Sequence, residues 1–316
     1  MYKQEVKKLY HYQSMELKVS DDSEIKNRGL SVDNGLILDQ YKLKPLLLGL
    51  AYYAKPEQFN DPFEADFDIS IDDLCVETLI QLLPFTQQDE LPTPFHPEVL
   101  GSFPDESIRS AFAVITPELK DMVQTVFINS MRQQAGLYCL SAKPNDTIMW
   151  AHYGDCHRGI ALEFEREEES HCGNMCFEVE YFEKPPVIKF GALVKEIIQA
   201  IGAGSLNEKG KLFENAELRK LVFSKTENWR YEEEWRVSHF PGLQDMPGKL
   251  TGIVFGANAD ERLIAYLTSL DQLKGVEFKF LVPKNYQLEL VSEQEFKIAR
   301  VIKDIDPTPS LISSCR

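Results

Sequence analysis

Apolar and polar positions follow different patterns in the two halves of the chain. In the first half, the aromatic run at residues 9–12 predicts an opening strand, and the apolar run at 43–53 predicts a helix end that leads into a strand. Residues 72–83 and 117–134 are predicted helices, and the second has its apolar residues on one face. The segment 84–104 is rich in proline and in acidic residues, which indicates a mobile loop or lid.

After Gly136 the pattern changes to short runs that are typical of strands, with a few helices between them. The predicted strands cover 137–141, 159–164, 176–182, 235–240, 252–255, 276–281, 288–291 and 296–302, and the predicted helices cover 190–201, 211–223 and 259–270. We therefore expect an α+β fold: a single domain over 1–303, with a split or bent, mostly antiparallel sheet and helices concentrated in the first half. Residues 65–135 would form a helical insertion, and residues 304–316 a flexible tail.

Composition and charge narrow the functional classes. The chain has 316 residues and a formal net charge of −16, so its surface repels phosphate backbones, and we expect no non-specific nucleic-acid binding. The first residues lack the apolar core of a secretory signal, and the apolar stretch PLLLGLAYYA is too short to cross a bilayer. These features predict a cytoplasmic protein with no membrane association, whose six cysteines are reduced.

Three clusters of polar and aromatic residues are candidates for a functional site. The first is FNDPFE at residues 59–64, where Asn60 and Asp61 favour a turn and Pro62 restricts the backbone. The flanking phenylalanines can anchor this turn in the core, which would hold Asn60, Asp61 and Glu64 at defined angles. A structural turn and a loop that lines a site both explain this pattern.

The second cluster is MWAHYGDCHR at residues 149–158. If residues 146–153 form a short helix, His152 and Tyr153 share one face and Trp150 lies beside it. Such rings predict an aromatic wall for a flat ligand, and His152 could donate to a phosphate or sugar oxygen. The alternative is a core helix whose histidine and tyrosine satisfy backbone groups.

The third cluster is WRYEEEWR at residues 229–236. If this segment is a strand, Glu232 and Glu234 project to one face, because side chains alternate along a strand. Two carboxylates beside tryptophans are costly to bury unless they are paired or used. Arg230 and Arg236 would project to the same face, so a salt-bridged strand face is the alternative to a functional site.

Other common sites have little support in the sequence. Cysteine and histidine residues concentrate between Cys156 and Cys176, but their spacing matches no zinc-site pattern, and we expect no metal. The chain also lacks the patterns of P-loop, Rossmann, zincin and α/β-hydrolase proteins. The three clusters therefore carry any prediction of function.

The order of the clusters resembles a known family. LYHY is followed by YYAKPEQFNDPFE, YCLS, MWAHYGDCHRGIALEF, EVEYF, WRYEEEWR and IVFG, from about Leu9 to Gly256. This series is similar to that of a large bacterial family of unknown function, which looks related to the abortive-infection proteins of phage defence. The family carries no established reaction, so the resemblance indicates that the clusters act together and leaves the chemistry open.

A second resemblance is to the ADP-ribosyltransferase fold, whose members bind NAD in the cleft of a split sheet. Those enzymes use a histidine or arginine on the first strand, a tyrosine or serine on a later strand, and a glutamate that often lies in E-x-E. The similar positions here are His11, Tyr53, Ser141 and the E-x-E of residues 232–234. The spacing is looser than in those enzymes, and the tripeptide S-T-S is absent.

The resemblance implies an ADP-ribosyltransferase-like effector of bacterial phage defence, a toxin that cleaves NAD as its substrate. Glu234 would stabilise the positive charge that develops on the ribose, and Glu232 would orient the acceptor. His11 would bind the ribose or phosphate, and Tyr53 would stack on nicotinamide. The other residues expected to line the NAD site are Ser141, Trp150, His152, Tyr153, Asn60, Asp61 and Arg236.

Two alternatives stay open at this point. A non-catalytic sensor or interaction protein of a defence system would use the clusters as a scaffold, or to bind a nucleotide-like or phage ligand. A nucleotide or phosphodiester hydrolase would hold Mg²⁺ with Asp61, Glu64, Glu232 and Glu234, since oxygen ligands suit that ion. The sequence does not determine the acceptor, which could be a protein or a nucleic acid.

Overall fold

The computed structural model describes residues 6–17, 22–32, 35–64, 66–82, 97–114, 117–118, 121, 125, 136–202 and 216–305. Most of the predicted helix at 117–134 and of the predicted loop at 84–104 lies outside the described residues, as does nearly all of the predicted tail. In the described part of the chain, no helix is both long and apolar enough to cross a membrane.

The strands come mainly from the short apolar runs of the sequence. In chain order they are β1 (Lys8–Gln13), β2 (Gly29–Val32), β3 (Leu36–Asp39), β4 (Leu50–Tyr53), β5 (Asp68–Ser70), β6 (Gly136–Ser141), β7 (Ile160–Glu165), β8 (Cys176–Glu178), β9 (Glu180–Phe182), β10 (Val187–Lys189), β11 (Ser224–Thr226), β12 (Glu234–His239), β13 (Gly242–Asp245), β14 (Leu250–Phe255), β15 (Glu277–Lys284) and β16 (Gln287–Val291). β7 is buried at every position but its last, which indicates that both faces of the central sheet are covered.

The helices begin at polar caps where the sequence supplies them. In chain order they are α1 (Asp22–Arg28), α2 (Gln40–Leu47), α3 (Val76–Leu82), α4 (Pro97–Leu100), α5 (Asp105–Val114), α6 (Thr147–His152), α7 (His171–Asn174), α8 (Phe190–Gly202), α9 (Ala216–Lys220), α10 (Glu261–Thr268) and α11 (Glu293–Ile305). The carboxylate of Asp146 accepts hydrogen bonds from the backbone amides of Ile148 and Met149 and so caps α6.

An eight-stranded mixed sheet has the strand order β16-β15-β14-β7-β1-β6-β12-β8. Its neighbouring strands are antiparallel except for β14 and β15, which run parallel. β1 pairs with β7 over its whole length, but with β6 only where Tyr10 lies opposite Ser141, so the sheet opens between β1 and β6. The predicted α+β class with a split, mostly antiparallel sheet is confirmed.

Smaller sheets and two core layers surround the large sheet. The described residues form four two-stranded sheets, which pair β2 with β3, β4 with β13, β5 with β10, and β9 with β11. On one face of the large sheet, Leu9, Leu162 and Phe164 belong to the main core. On the other face, Tyr10 and Tyr12 pack in a second cluster around the fully buried Trp150. Alternation along β1 separates these two layers.

The strand predicted at residues 296–302 is wrong, because these residues belong to the helix α11. A short apolar run does not distinguish a strand from a helix, and here the neighbouring residues decide. Ser292 and Glu295 exchange side-chain and backbone hydrogen bonds at the start of α11, which is the pattern of a capping box.

The structure describes five of the six cysteines. No disulfide links any two of Cys75, Cys139, Cys156, Cys172 and Cys176. Cys172 and Cys176 are buried in the main core, where they pack as small apolar side chains. The sixth cysteine of the sequence lies outside the described residues.

The end of β14 provides a test of this packing. A Cβ atom on Gly256 would lie 2.2 Å from the carbonyl oxygen of His157 and 2.9 Å from the ring of Trp150. We expect Gly256→Ala to lower the free energy of unfolding by roughly 1–3 kcal/mol, because backbone must move to admit the methyl group. Gly248→Ala is the control, since its Cβ would meet nothing nearer than 3.3 Å. Equal stabilities of the two variants in urea denaturation would contradict this packing.

Candidate functional site

A cavity of about 280 Å³ lies where β1 and β6 separate. Both strands line it, together with side chains from all three sequence clusters. The lining residues are Tyr10, His11, Tyr12, Gln58, Phe59, Asn60, Cys139, Leu140, Ser141, Met149, Tyr153, Lys225, Glu232 and Glu234. The structure therefore brings the three clusters together, although long stretches of chain separate them.

A buried lysine joins the two glutamates of the third cluster. The Nζ atom of Lys225 on β11 lies 2.5 Å from Oε2 of Glu232 and 3.2 Å from Oε2 of Glu234. All three side chains are almost inaccessible to solvent. The ring of Trp229 packs 4.7 Å from the same Nζ atom. Ion pairs in such surroundings are desolvated, so their mutual geometry is strongly constrained.

Arg236 extends this ion cluster to the first sequence cluster. Its Nε donates to Oε1 of Glu234 at 2.8 Å, and its two terminal nitrogens donate to the carboxylate of Glu64 at 2.5 and 3.1 Å. A further hydrogen bond goes to the carbonyl of Val222, and the guanidinium is fully buried. Arg236 thus fixes the carboxylates of Glu64 and Glu234 on either side of one planar group.

Tyr153 and Asn60 connect the second and first clusters to Glu232. The hydroxyl of Tyr153 donates to Oε1 of Glu232 at 2.6 Å, and Nδ2 of Asn60 donates to the same hydroxyl at 3.0 Å. On β6, the hydroxyl of Ser141 donates to the backbone carbonyl of Glu232 at 2.6 Å. Both the side chain and the backbone of Glu232 are therefore held in place.

The ion cluster carries more negative than positive charge when all its groups are ionised. The three carboxylates of Glu64, Glu232 and Glu234 face the two cations Lys225 and Arg236, which leaves one negative charge in excess. A positively charged or electron-poor ligand group would be stabilised beside such a cluster, because buried charges are weakly screened.

The two glutamates beside Lys225 have pKa values shifted in opposite directions. Burial acts to raise the pKa of Glu234, but the charges of Arg236 and Lys225 outweigh it and lower the pKa to about 2. Burial raises the pKa of Glu232, and the charge of Lys225 offsets only part of that effect. Pairs of carboxyl groups with separated pKa values can divide acid–base and charge-stabilising roles.

His11 lines the cavity from the edge of the opening. Its Nδ1 lies 2.8 Å from the carbonyl oxygen of Cys139. A carbonyl only accepts, so Nδ1 carries the proton and Nε2 remains an acceptor. Burial lowers the pKa of His11 to about 4, which keeps the ring neutral at neutral pH. By alternation along β1, His11 belongs to the sheet face opposite Tyr10 and Tyr12.

Other candidate residues lie outside the cavity. Tyr53 is fully buried, and its hydroxyl donates to the carbonyl of Asp245 at 3.3 Å. Trp150 is also fully buried, and its Nε1 donates to the carbonyl of Pro144. The carboxylate of Asp61 accepts from the backbone amide of Phe63, as expected in a turn.

The remaining two candidates support the site from its periphery. His152 is exposed, and its Nδ1 lies 3.0 Å from the hydroxyl of Tyr231. This contact joins α6 to the segment before β12. Arg236 is behind Glu234 and does not line the cavity.

The predicted strand at 229–236 is wrong in its first half. Glu227–Glu232 forms a 3-10 helix, Glu233 has the left-handed φ of 42°, and β12 begins at Glu234. Glu232 and Glu234 meet because the chain turns sharply at Glu233, and not because side chains alternate along a strand. The exposed side chain of Glu233 pairs instead with Lys143 at 2.8 Å.

Lys225 is the functional candidate that the sequence pattern did not reveal. It lies in the segment FSKT, which contains no recognised motif. The available signal was indirect: the three glutamates of WRYEEEWR exceed its two arginines, so burying them requires a cation from elsewhere.

A strained turn follows the second cluster. Asp155, Cys156 and His157 all have left-handed φ angles, of 49°, 52° and 67°. Each non-glycine residue in this conformation costs roughly 1–2 kcal/mol. The backbone amide of His157 donates to the carbonyl of Trp150, which ties the turn to α6. The turn thus holds the end of the helix that positions Tyr153.

The carboxylates proposed for a magnesium site are engaged with protein groups. Glu64 contacts Arg236, Glu232 and Glu234 contact Lys225, and Asp61 accepts from its own turn. Within the described ranges, no group of three or more histidine, cysteine, aspartate or glutamate side chains has the arrangement of a metal site.

Removing the buried cation tests the ion cluster. We expect Lys225→Met to lower the free energy of unfolding by roughly 3–5 kcal/mol, because Glu232 and Glu234 would be left buried without their shared partner. Lys143→Met is the control: its exposed pair with Glu233 should contribute about 0–1 kcal/mol. Chemical denaturation of the three proteins measures the difference, and a similar small loss in both variants would refute the buried cluster.

Acid unfolding tests the opposite pKa shifts. The low folded pKa of Glu234 contributes stability above its ordinary value of 4.5, and this contribution is lost as the pH falls towards 2. Glu234→Gln should therefore show a shallower loss of stability in that range. The raised pKa of Glu232 has the opposite sign: the wild type gains stability as the pH falls through this raised pKa towards 4.5, so Glu232→Gln should lack that gain in the range above 4.5. Parallel acid profiles of both variants would contradict the assignment.

Comparisons with known proteins give one family similarity. The model of a family described as "Protein of unknown function (DUF2971)" matches residues 149–237. No curated protein matches the chain, and no solved structure does. The matched span contains Tyr153, Lys225, Glu232, Glu234 and Arg236, so the ion cluster except Glu64 lies in the part of the chain that is similar to this domain family of unknown function.

Proposed function

We propose that the protein is an ADP-ribosyltransferase-like enzyme that cleaves the nicotinamide–ribose bond of NAD at the cavity between β1 and β6. The observation that carries this proposal is the buried pair of Glu232 and Glu234, which lines a ligand-sized cavity at the opening of a split sheet. The excess negative charge of the cluster suits a reaction that builds positive charge on its substrate.

Glu234 has the properties of a charge-stabilising group. When the bond between the nicotinamide nitrogen and ribose C1′ breaks, its electron pair leaves with nicotinamide, and the ribose becomes positively charged. Glu234 is ionised at neutral pH because its pKa is about 2, and its position is held by Arg236 and Lys225. A fixed anion stabilises the developing cation without having to reorganise.

Glu232 has the properties of a general base. The acceptor forms a new bond to C1′ and must lose a proton, which Glu232 can take because its pKa is raised. The hydroxyl of Tyr153 donates to the same carboxylate, and Asn60 donates to Tyr153, so this group is oriented by a short chain of hydrogen bonds. The hydrogen bond from Ser141 to the backbone carbonyl of Glu232 helps to fix the position of Glu232 relative to Glu234.

The other candidates take different roles in this proposal. His11, with Nε2 free to accept, lines the cavity and would accept from a ribose hydroxyl. Tyr53 and Trp150 support the core, and Arg236 positions Glu234. His152 braces the segment that carries Glu232 through Tyr231. A role in bacterial phage defence, with a protein or nucleic-acid acceptor, rests on the sequence resemblance.

A non-catalytic binding protein is the second candidate. It is favoured by the pairing of Glu234, because both oxygens of this carboxylate already accept from Arg236 or Lys225. A cluster so fully paired also occurs where ions only stabilise a fold. In that case the cavity would bind its ligand without changing it.

Nicotinamide release from NAD separates the two candidates. We expect the wild type to release nicotinamide, and Glu232→Gln to reduce kcat by roughly 10²–10³-fold with little change in the melting temperature. Glu233→Gln is the matched control, since this neighbouring glutamate is exposed and paired with Lys143. Its turnover should equal that of the wild type.

The contrary outcomes are distinct. The wild type would be tested with protein and with nucleic-acid acceptors. If it bound NAD but released no nicotinamide with any of them, the result would favour the non-catalytic binding protein. Full activity in Glu232→Gln would exclude this residue as the base. Glu234→Gln should lose both activity and stability, because the variant weakens the pairing of Arg236 as well as the charge at the cavity.

A further inference from the structure

A second concave site lies on the other side of Lys225 from the cavity. It is a groove of about 520 Å³, and Lys225 lines both spaces. The groove runs between the β9–β11 pair and the turn of the first cluster, with walls that include Phe63, Phe182, Pro185 and Pro186. Its size is sufficient for a nucleoside, and none of the roles described above uses it.

The floor of the groove contains an unused hydroxyl. Ser224, at the start of β11, is more than nine-tenths buried, and its Oγ has no hydrogen-bond partner among the described residues. A buried polar atom without a partner costs about 1–3 kcal/mol. A ligand that forms a hydrogen bond with the Ser224 hydroxyl would remove that cost, and this favours binding in the groove.

The walls of the groove suit a flat ring. Phe63 keeps 59% of its surface exposed, so much of its ring is accessible to a ligand, and Phe182 is only partly buried. Pro185 and Pro186 form a rigid neighbouring wall. Aromatic faces of this kind stack on nucleobases, because every base offers a π-face.

The rim of the groove carries mostly acidic groups. Asp66 and Glu183 line it together with the exposed cation Lys184. Glu227 also lines it but is paired with Arg230, and Lys225 is neutralised by its own glutamates. Carboxylates accept hydrogen bonds from exocyclic amino groups and repel phosphates. The amide of Asn228 is exposed at the same rim and can pair with a base edge.

We propose that this groove binds a neutral purine base of the adenine type, with the ring stacked on Phe63 and a ring nitrogen hydrogen-bonded to the Ser224 hydroxyl. The exocyclic amino group faces the acidic rim. A base held here lies beside Lys225 and therefore next to the carboxylate cavity. The site does not require the NAD reaction, because the contacts are to the base alone.

Calorimetric titration with adenosine tests the groove. We expect the full-length protein to bind adenosine, and to bind AMP and inosine more weakly, because the first adds negative charge and the second replaces the amino donor with a carbonyl. Phe63→Leu should weaken adenosine binding by about tenfold through loss of stacking. Ser224→Ala should weaken it by about fivefold through loss of one neutral hydrogen bond.

Two variants serve as matched controls for these changes. Phe240→Leu alters an exposed phenylalanine, and Ser238→Ala a buried serine, and neither residue lines the groove or the cavity. Both should bind adenosine as the wild type does. No binding at millimolar adenosine, equal binding of inosine, or wild-type affinity in both groove variants would overturn the proposal. Loss of NAD turnover in Glu232→Gln with adenosine binding retained would leave the groove proposal intact.

Discussion

The ammonium group of Lys225 lies between two buried carboxylates, and the site depends on this arrangement. Glu232 and Glu234 approach each other closely only because one cation neutralises part of their mutual repulsion. Arg236 then connects Glu234 to Glu64 in the first sequence cluster. Burial makes each of these contacts costly to break, so the segments that supply them are held in one relative position.

The opening of the large sheet gives this ion cluster access to a ligand. If β1 and β6 paired along their full length, as β1 and β7 do, backbone hydrogen bonds would close the space that the cavity occupies. The carbonyl of Cys139 instead accepts from His11, and so one side chain satisfies a backbone group at the gap. The same β11 segment that supplies Lys225 also lines the neighbouring groove.

Much of the fold could be predicted from short-range pattern, and the errors have specific causes. The strands at β1, β6, β7 and β14 follow from their apolar runs. The apolar run at residues 296–302 is compatible with a strand, but the capping residues Ser292 and Glu295 begin a helix there. At Glu233 the neighbouring residues give no such signal, because a run of three glutamates does not indicate a left-handed backbone conformation. Glu233 adopts that conformation and ends the 3-10 helix.

The sequence by itself determined which segments carry the polar chemistry, because residues such as Asn60, Tyr153 and Glu232 stand in short clusters that combine polar and aromatic side chains. Tertiary structure alone decided which of them meet. Tyr53 and Trp150 turn into the core, whereas Lys225, in a segment without a motif, becomes the centre of the ion cluster. The physical reason is that burial and charge pairing are long-range properties: they depend on neighbours that are distant in the chain, and local periodicity contains no information about them.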